Sequence, residues 1–310
     1  MSTTWAGEEA CEAEEAVVAS GGPALPMGRR VALRGRGTTF VREVRGPAGA
    51  PTVLLLHGWM ASGGLNWFQA FEPLSEQFNV VALDQRGHGR GIHSRRRFTL
   101  ADCADDAAAL LDTLGTGPVI AAGYSLGGPV AQLLWKRHPD VVSGLVLCAT
   151  SHHLMPGMRE QMIFSSMMAA AAGTTRVGQL ATRIPARQVR SRFGNRTRGL
   201  RPDTMRAWAR AEMGRHDWRQ VLEAGVAMSN YHAKWIGEID VPTTVVVTTQ
   251  DRAVNPFAQL RMALKIPGAQ IQRIEDGHIV CAKPVFGPAV VRACEDVAAR
   301  IDASATASTA

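Results

Sequence analysis

The sequence predicts an α/β protein built on a mostly parallel, doubly wound sheet, with a helical segment inserted after the sixth strand. Short, uniformly apolar runs rich in β-branched residues, such as Val53–His57 and Thr244–Thr248, have the length and composition of parallel strands covered on both faces. Helical patterns alternate with these runs, and the strand-like runs stop between residues 151 and 240. Near the middle, Gly123-Tyr124-Ser125-Leu126-Gly127 lies directly after an apolar run and directly before a helical pattern.

Residues 1–28 mix Ala, Glu, Gly and Pro with little apolar periodicity and are expected to form a flexible acidic tail. Their Glu8, Glu9, Glu12, Glu14 and Glu15, with no basic residue before Arg29, reverse the positive start of a secretory signal. A cytoplasmic location follows as the expectation. Strand runs come at Val53–His57, Val80–Leu83, Val119–Gly123, Leu145–Cys148 and Thr244–Thr248, with a weaker one at Ala269–Ile274. Thr99 with Asp102 three residues on is a helix-capping pattern, and Leu110, Leu111 and Leu114 follow at helical spacing. Leu126–His138 reads as a second helix, ended by Pro139. A structureless loop over 151–240 is improbable in a compact domain, so that stretch is expected to be a helical cap over a core made of 29–150 and 241–302. Residues 303–310 hold only Ala, Ser and Thr and are expected to form a flexible tail.

A length of 310 residues suits one such domain with an insertion. An apolar share of 46% with 20% charged residues excludes a largely disordered, collagen-like or multispanning chain. No apolar run approaches the roughly 18 to 20 residues that cross a bilayer, so the chain is not expected to be an integral membrane protein. The five cysteines are odd in number and lack a C-x-x-C pair, which argues against a disulfide framework and against a zinc knot. The formal net charge of +7 is uneven: residues 151–240 hold 14 basic against 7 acidic side chains, whereas residues 1–28 carry −5. That excess favours anionic partners, but no aromatic-interleaved basic motif points to nucleic acid.

The chemistry begins at Ser125. A serine on a sharp strand-to-helix turn projects from the sheet edge, and the following helix start turns main-chain N–H groups toward any oxyanion beside it. The plainer reading is a tight turn with a hydrogen-bonded serine; the flanking strand and helix argue against it. A serine nucleophile needs a base, and the base needs an orienting acid. Asp251 stands just past the run at 244–248, and His278 follows the run at 269–274. Asp276 is the rival acid, but it lies two residues from His278 on the same loop and is badly placed to accept from the ring. Leu56-His57-Gly58-Trp59 ends a buried strand, and the Trp59 N–H can join that of Leu126 as an oxyanion hole. His57 is either a base or a structural ring bracing that loop; its place at a strand end favours the structural role.

Together with Asp84-Gln85-Arg86-Gly87-His88-Gly89 and Asp251-Arg252-Ala253-Val254-Asn255-Pro256, these motifs resemble the α/β-hydrolase superfamily in its small serine-esterase and lipase branch. The resemblance covers about 30–150 and 240–302. It implies Ser125 as nucleophile, His278 as general base and then acid, Asp251 as its orienter, and the N–H groups of Trp59 and Leu126 as oxyanion hole, with no cofactor and no metal. It also implies that the Asp84–Gly89 turn is structural. One departure stands there: the serine expected closely after the last glycine is delayed to Ser94, which puts the loop conformation in question. Haloalkane dehalogenases and epoxide hydrolases are similar in these blocks but carry Asp at the nucleophile position.

The activity so implied is cleavage of small to medium carboxylic esters through an acyl-serine. An acyltransferase, thioesterase, lactonase or cofactor-free perhydrolase would use the same triad, and a triad-containing ligand-binding receptor is the reading from another class. Tyr124, Met155, Met158 and Met162 are the candidate pocket residues; the methionines serve equally well as a pliable acyl-chain wall or as ordinary core packing. Thirteen arginines lie between 151 and 240, among them Arg183, Arg187, Arg190, Arg192, Arg196, Arg198 and Arg201. They form either a solvated face or a surface for an anionic lipid or an acidic acyl carrier.

Overall fold

In the computed structural model, residues 22–155, 157–181 and 204–309 are described. Eight strands form one sheet: β1 (Gly28–Leu33), β2 (Gly37–Val44), β3 (Thr52–Leu56), β4 (Asn79–Leu83), β5 (Val119–Tyr124), β6 (Val142–Cys148), β7 (Thr243–Thr248) and β8 (Gln270–Ile274). Their order is β1-β2-β4-β3-β5-β6-β7-β8. β2 pairs antiparallel with β1 and with β4, and every other pairing is parallel. The fold is thus the mostly parallel doubly wound sheet expected from the apolar runs, preceded by an antiparallel pair that those runs did not reveal.

The helices are α1 (Gly63–Trp67), α2 (Phe71–Ser75), α3 (Leu100–Leu114), α4 (Gly127–Arg137), α5 (Met158–Ala181), α6 (Met205–Met213), α7 (Trp218–Ser229), α8 (Pro256–Lys265) and α9 (Phe286–Thr309). Strand alternation divides the core into two apolar layers. Leu54, Leu56, Val81 and Leu83 face one side with Leu110 of α3 and Leu134 of α4, while Val53, Leu55, Val80 and Ala82 face the other with Trp67 and Phe286. α3 forms where its capping pattern places it: the Thr99 hydroxyl accepts from the Asp102 N–H, and Gly115 closes the helix at φ 64°.

Between β6 and β7 the described chain is helical, as α5, α6 and α7. The seven arginines between Arg183 and Arg201 singled out above lie outside the described residues, as do residues 1–21. At the other end the expected flexible tail is replaced by helix: α9 runs on to Thr309. Alanine needs no core to favour helix, and the hydroxyls of Ser304 and Thr306 donate to the carbonyls four residues back, each at 2.9 Å. No helix among the described residues is long and apolar enough to cross a membrane. Cys103, Cys148, Cys281 and Cys294 are free thiols.

The topology fixes where chemistry can occur. From β3 the chain goes one way to β4 and the other way to β5, so the crevice at their carboxyl ends is the switch point where open α/β sheets bind ligands. Leu56 pairs with Gly123 in that register, which sets the loop at Gly58-Trp59 beside Ser125.

Candidate active site

Ser125 turns the chain between β5 and α4 at φ 51°, and Met60 (58°) and Ala149 (48°) are the other non-glycine residues with positive φ among the described residues. All three stand just past the ends of neighbouring strands, β3, β5 and β6. Each such backbone costs on the order of 1–3 kcal/mol, and strain of this kind collects where function requires it. Glycines make the turn possible. A Cβ on Gly127 would lie 2.0 Å from the Leu56 carbonyl oxygen, and one on Gly123 would lie 2.3 Å from that of Gly127. The Ser125 N–H donates to Cys148 (3.0 Å), and its carbonyl accepts from the Gly128 N–H (2.9 Å) and the Thr150 hydroxyl (2.7 Å).

The side chain of Ser125 meets His278 Nε2 at 3.0 Å, and His278 Nδ1 lies 2.8 Å from Asp251 Oδ2. The carboxylate only accepts, so Nδ1 carries the hydrogen and Nε2 offers its lone pair to the serine hydroxyl. Asp251 is held from both sides: Oδ1 accepts from the N–H groups of Ala253 (2.8 Å) and Val254 (2.9 Å), and Oδ2 accepts from the Thr248 hydroxyl (2.8 Å). Burial opposes its charge, but hydrogen bonds from His278, Val254 and Thr248 outweigh that cost and hold its carboxyl below the ordinary range. Asp276 turns elsewhere, accepting from Lys283 Nζ and the Gly277 N–H.

Across from this relay, Gly58 donates its N–H to Asn66 Oδ1 at 2.8 Å, and its missing Cβ leaves room for the Ser125 Cβ. The Trp59 and Leu126 N–H groups make no hydrogen bond among the described residues. The Ser125 N–H, by contrast, is committed to the Cys148 carbonyl. His57 is structural: its Nε2 accepts from the Gln85 N–H (2.9 Å), which leaves Nδ1 to donate to the Gly58 carbonyl (2.8 Å). Burial and the neighbouring His88 keep this ring neutral, far below its ordinary pKa.

The Asp84 turn is settled despite its delayed serine. Asp84 Oδ1 and Oδ2 accept from the N–H groups of Gly63 and Arg90, both at 2.8 Å, and Arg86 forks onto Asp106 at 2.8 and 2.9 Å. The extra residues close on themselves through Gly87 N–H to Ile92 carbonyl and Gly91 N–H to His88 carbonyl, each 2.9 Å.

A family model described as the alpha/beta hydrolase fold matches residues 51–283. The chain belongs to that family. Among curated relatives, lipase LipV of Mycobacterium tuberculosis is 31% identical over 261 residues, which cover 80% of this chain and 94% of LipV. The poly(3-hydroxyalkanoate) depolymerase of Ectopseudomonas oleovorans is 28% identical, covering 68% of this chain and 72% of the depolymerase. Among solved structures, a hydrolase from Pseudomonas aeruginosa superposes with a TM-score of 0.66 at 24% identity, covering 85% of this chain and 96% of the other, a likeness of fold.

Within this alpha/beta hydrolase fold, the expected pocket residues fall in different places. Tyr124 is 3% exposed; its ring packs against those of Trp67 and Phe286, and its hydroxyl donates to the His278 carbonyl, so it braces the histidine loop from behind instead of lining an opening. Met162 is 64% exposed on the outer face of α5, Met155 is half-buried, and the Met158 side chain lies outside the described residues. Facing the oxyanion loop from α5 are instead Phe164, whose ring meets Trp59 edge-on at 6.0 Å, and Met168, packed near Gly225 beside the Trp59 ring. Their i, i+4 spacing was visible in sequence, but which face of the helix turned inward was not. Asn66, Thr150 and Gln259, which hold the oxyanion loop, the serine turn and Asp251, carried no motif that could have singled them out.

Proposed function

We propose that this chain is a serine hydrolase of carboxylic esters with small to medium acyl groups, working through an acyl-serine on Ser125. The observation that carries the proposal is the relay of Ser125, His278 and Asp251 beside two main-chain N–H groups without partners among the described residues. His278 Nε2 takes the Ser125 proton as Oγ attacks the ester carbonyl. The resulting oxyanion is stabilised by the N–H groups of Trp59 and Leu126, with the positive end of α4 behind them. Asp251 keeps the ring in the required tautomer and stabilises the imidazolium. His278 then returns the proton to the leaving alkoxide, and a water activated by the same nitrogen releases the acid. Phe164 and Met168 supply an apolar wall beside Trp59, which suits an acyl chain and lets the inserted helices act as a cap. The lipase and depolymerase among the relatives support ester chemistry of this class.

The test is a panel of p-nitrophenyl esters from acetate to palmitate with the wild-type protein and Ser125→Ala. Turnover of shorter esters that disappears in Ser125→Ala is the expected result. Undiminished activity in the variant would remove Ser125 as the nucleophile. No turnover by the wild type at any chain length, with a small ligand still raising Tm, would favour the receptor reading.

A further inference from the structure

The inserted helices leave the core just after β6 and rejoin it through residues 231–235, and the two limbs touch. His153 and His232 form an isolated antiparallel bridge, with ring centroids 4.5 Å apart and planes 17° apart, and the Ala233 N–H donates to the His152 carbonyl at 2.9 Å. Against this crossing packs the face of α8 that carries Ala258, Arg261 and Lys265. A cavity of about 280 Å³ lies between them, lined by the imidazoles of His152, His153 and His232, the side chains of Arg261 and Lys265, and Ser151. No carboxylate lines it, and neither Arg261 nor Lys265 has an acidic partner among the described residues.

One lining residue, His152, also carries a buried donor with nothing to donate to. Lys265 Nζ lies 3.1 Å from His152 Nε2, and an ammonium only donates, so Nε2 is the unprotonated nitrogen and Nδ1 carries the hydrogen. That Nδ1 is buried without a partner, on a residue only 7% exposed. Burial, then the charge of Lys265, holds the imidazole down to about 4, so the ring stays a neutral donor. Buried polar groups of this kind are ordinarily satisfied, by protein, water or ligand. Ser151 does not help, because its hydroxyl donates to the Ala258 carbonyl at 3.2 Å.

We propose that this cavity binds a small phosphoryl oxyanion, held by Arg261, Lys265 and the imidazole donors, and that the bound ion ties both limbs of the insertion to α8. A tetrahedral anion presents oxygens in several directions, which matches donors converging from three separate segments. The volume is several times the roughly 30 Å³ that a water occupies in the liquid, so a phosphate carrying a short organic group also fits. None of its lining residues belongs to the relay of Ser125, His278 and Asp251, and its test reads binding.

The experiment is titration calorimetry of the full chain with inorganic phosphate and with glycerol 3-phosphate, against potassium chloride at matched ionic strength. Saturable binding of one or both is expected, with each of Arg261→Gln and Lys265→Gln weakening it about tenfold and the pair abolishing it. Both side chains are exposed, so the variants are expected to fold and to retain wild-type turnover of a neutral ester in phosphate-free buffer. Tighter binding of inorganic phosphate assigns the free ion, tighter binding of glycerol 3-phosphate assigns a phosphate monoester, and either supports the site. Heat no different from that of chloride, or binding undiminished in the double variant, would overturn it.

Discussion

Replacing Asp251 by Asn tests whether the carboxylate acts through the histidine tautomer. The local hydrogen bonds dictate how the new amide must sit. Two main-chain N–H groups, of Ala253 and Val254, point at Oδ1, so the amide oxygen has to occupy that position. The amide nitrogen then falls at the Oδ2 position, where it donates to His278 Nδ1. The ring is forced to carry its hydrogen on Nε2, facing Ser125, and can no longer accept the serine proton. Losing the base in this way while keeping the geometry costs about 10⁴-fold in kcat, equivalent to about 5 kcal/mol of transition-state stabilisation. Folding loses far less, about 1 kcal/mol, because the shape and most of the hydrogen bonds survive. The assay is kcat for p-nitrophenyl butyrate at neutral pH, beside a thermal melt of the same sample. Asp276→Asn is the control: its carboxylate engages Lys283 and Gly277, so its activity is expected to stay within about threefold of wild type. The reasoning is refuted if folded Asp251→Asn keeps more than about a tenth of its activity, or if Asp276→Asn suffers the larger loss.

Gly127→Ala is expected to cut ester turnover by more than about 100-fold or to prevent folding, because the added Cβ meets the Leu56 carbonyl at 2.0 Å and pushes β3, with the oxyanion loop, away from Ser125; soluble yield and kcat of the variant decide it. Glu212→Gln breaks a buried ion pair with Arg90 (3.1 Å), in which the two arginines Arg90 and Arg215 overcome burial and keep the carboxyl ionised. The expected cost is about 3 kcal/mol, read as a lower urea midpoint, and an unchanged midpoint would contradict it. Acid should also destabilise the fold through its buried imidazoles. Burial holds His88 down to about 4 and lowers His57 and His216 as well, so their neutral forms belong to the native state. Their contribution is fully present above the unfolded value near 6.5 and is lost as pH falls through the folded value, His88 alone accounting for about 3 kcal/mol between those limits. Urea unfolding from pH 7 to pH 4.5 should show a shallower decline in His88→Asn than in the wild type; parallel declines would remove His88 from the account.

What the sequence made legible were elements whose physics is local. The buried parallel strands announced themselves as unbroken apolar runs, and Ser125, Asp251 and His278 each follow one of them within a few residues. β1 and β2 give no apolar run: in the edge strand β1, exposed Arg30 and Ala32 alternate with buried Val31 and Leu33, and in β2 the apolar pair Phe40-Val41 stands between threonines and Arg42. The methionine cluster could not be divided in advance, since Met162 and Met168 differ only in which side of α5 they occupy. Asn66 and Gln259 depend on contacts set by the assembled loops, and neither residue type nor spacing distinguishes them from any other surface amide. The helical end of α9 is not legible from core formers, because residues 303–310 contain none, yet Ala-rich sequence extends a helix that is already nucleated.

The assembled loops tie α6 and α7 to the serine site as one unit. Trp59, on the loop beside Ser125, anchors its indole on the Val221 carbonyl of α7 at 2.7 Å. The Gly89 N–H donates to His216 Nδ1 (2.8 Å), the Asp217 N–H donates to the Gly87 carbonyl (2.9 Å), and the Phe98 N–H reaches Glu223 of α7 (2.8 Å). Glu212 of α6 joins Arg90 to the Ser62 hydroxyl. Lifting α6 and α7 together would strand these buried groups, at about 1–3 kcal/mol for each left unsatisfied. That is comparable in sum to the whole stability of a domain, roughly 5–15 kcal/mol. α5 is attached differently, through Gln161, Ser165 and Arg176 to Asn230, Ser229 and Glu223, while its other face exposes Met162, Ile163 and Met167. Movement that widens access to Ser125 is therefore cheapest at α5, and α6 and α7 stay with the core as the fixed wall on which Trp59 is anchored.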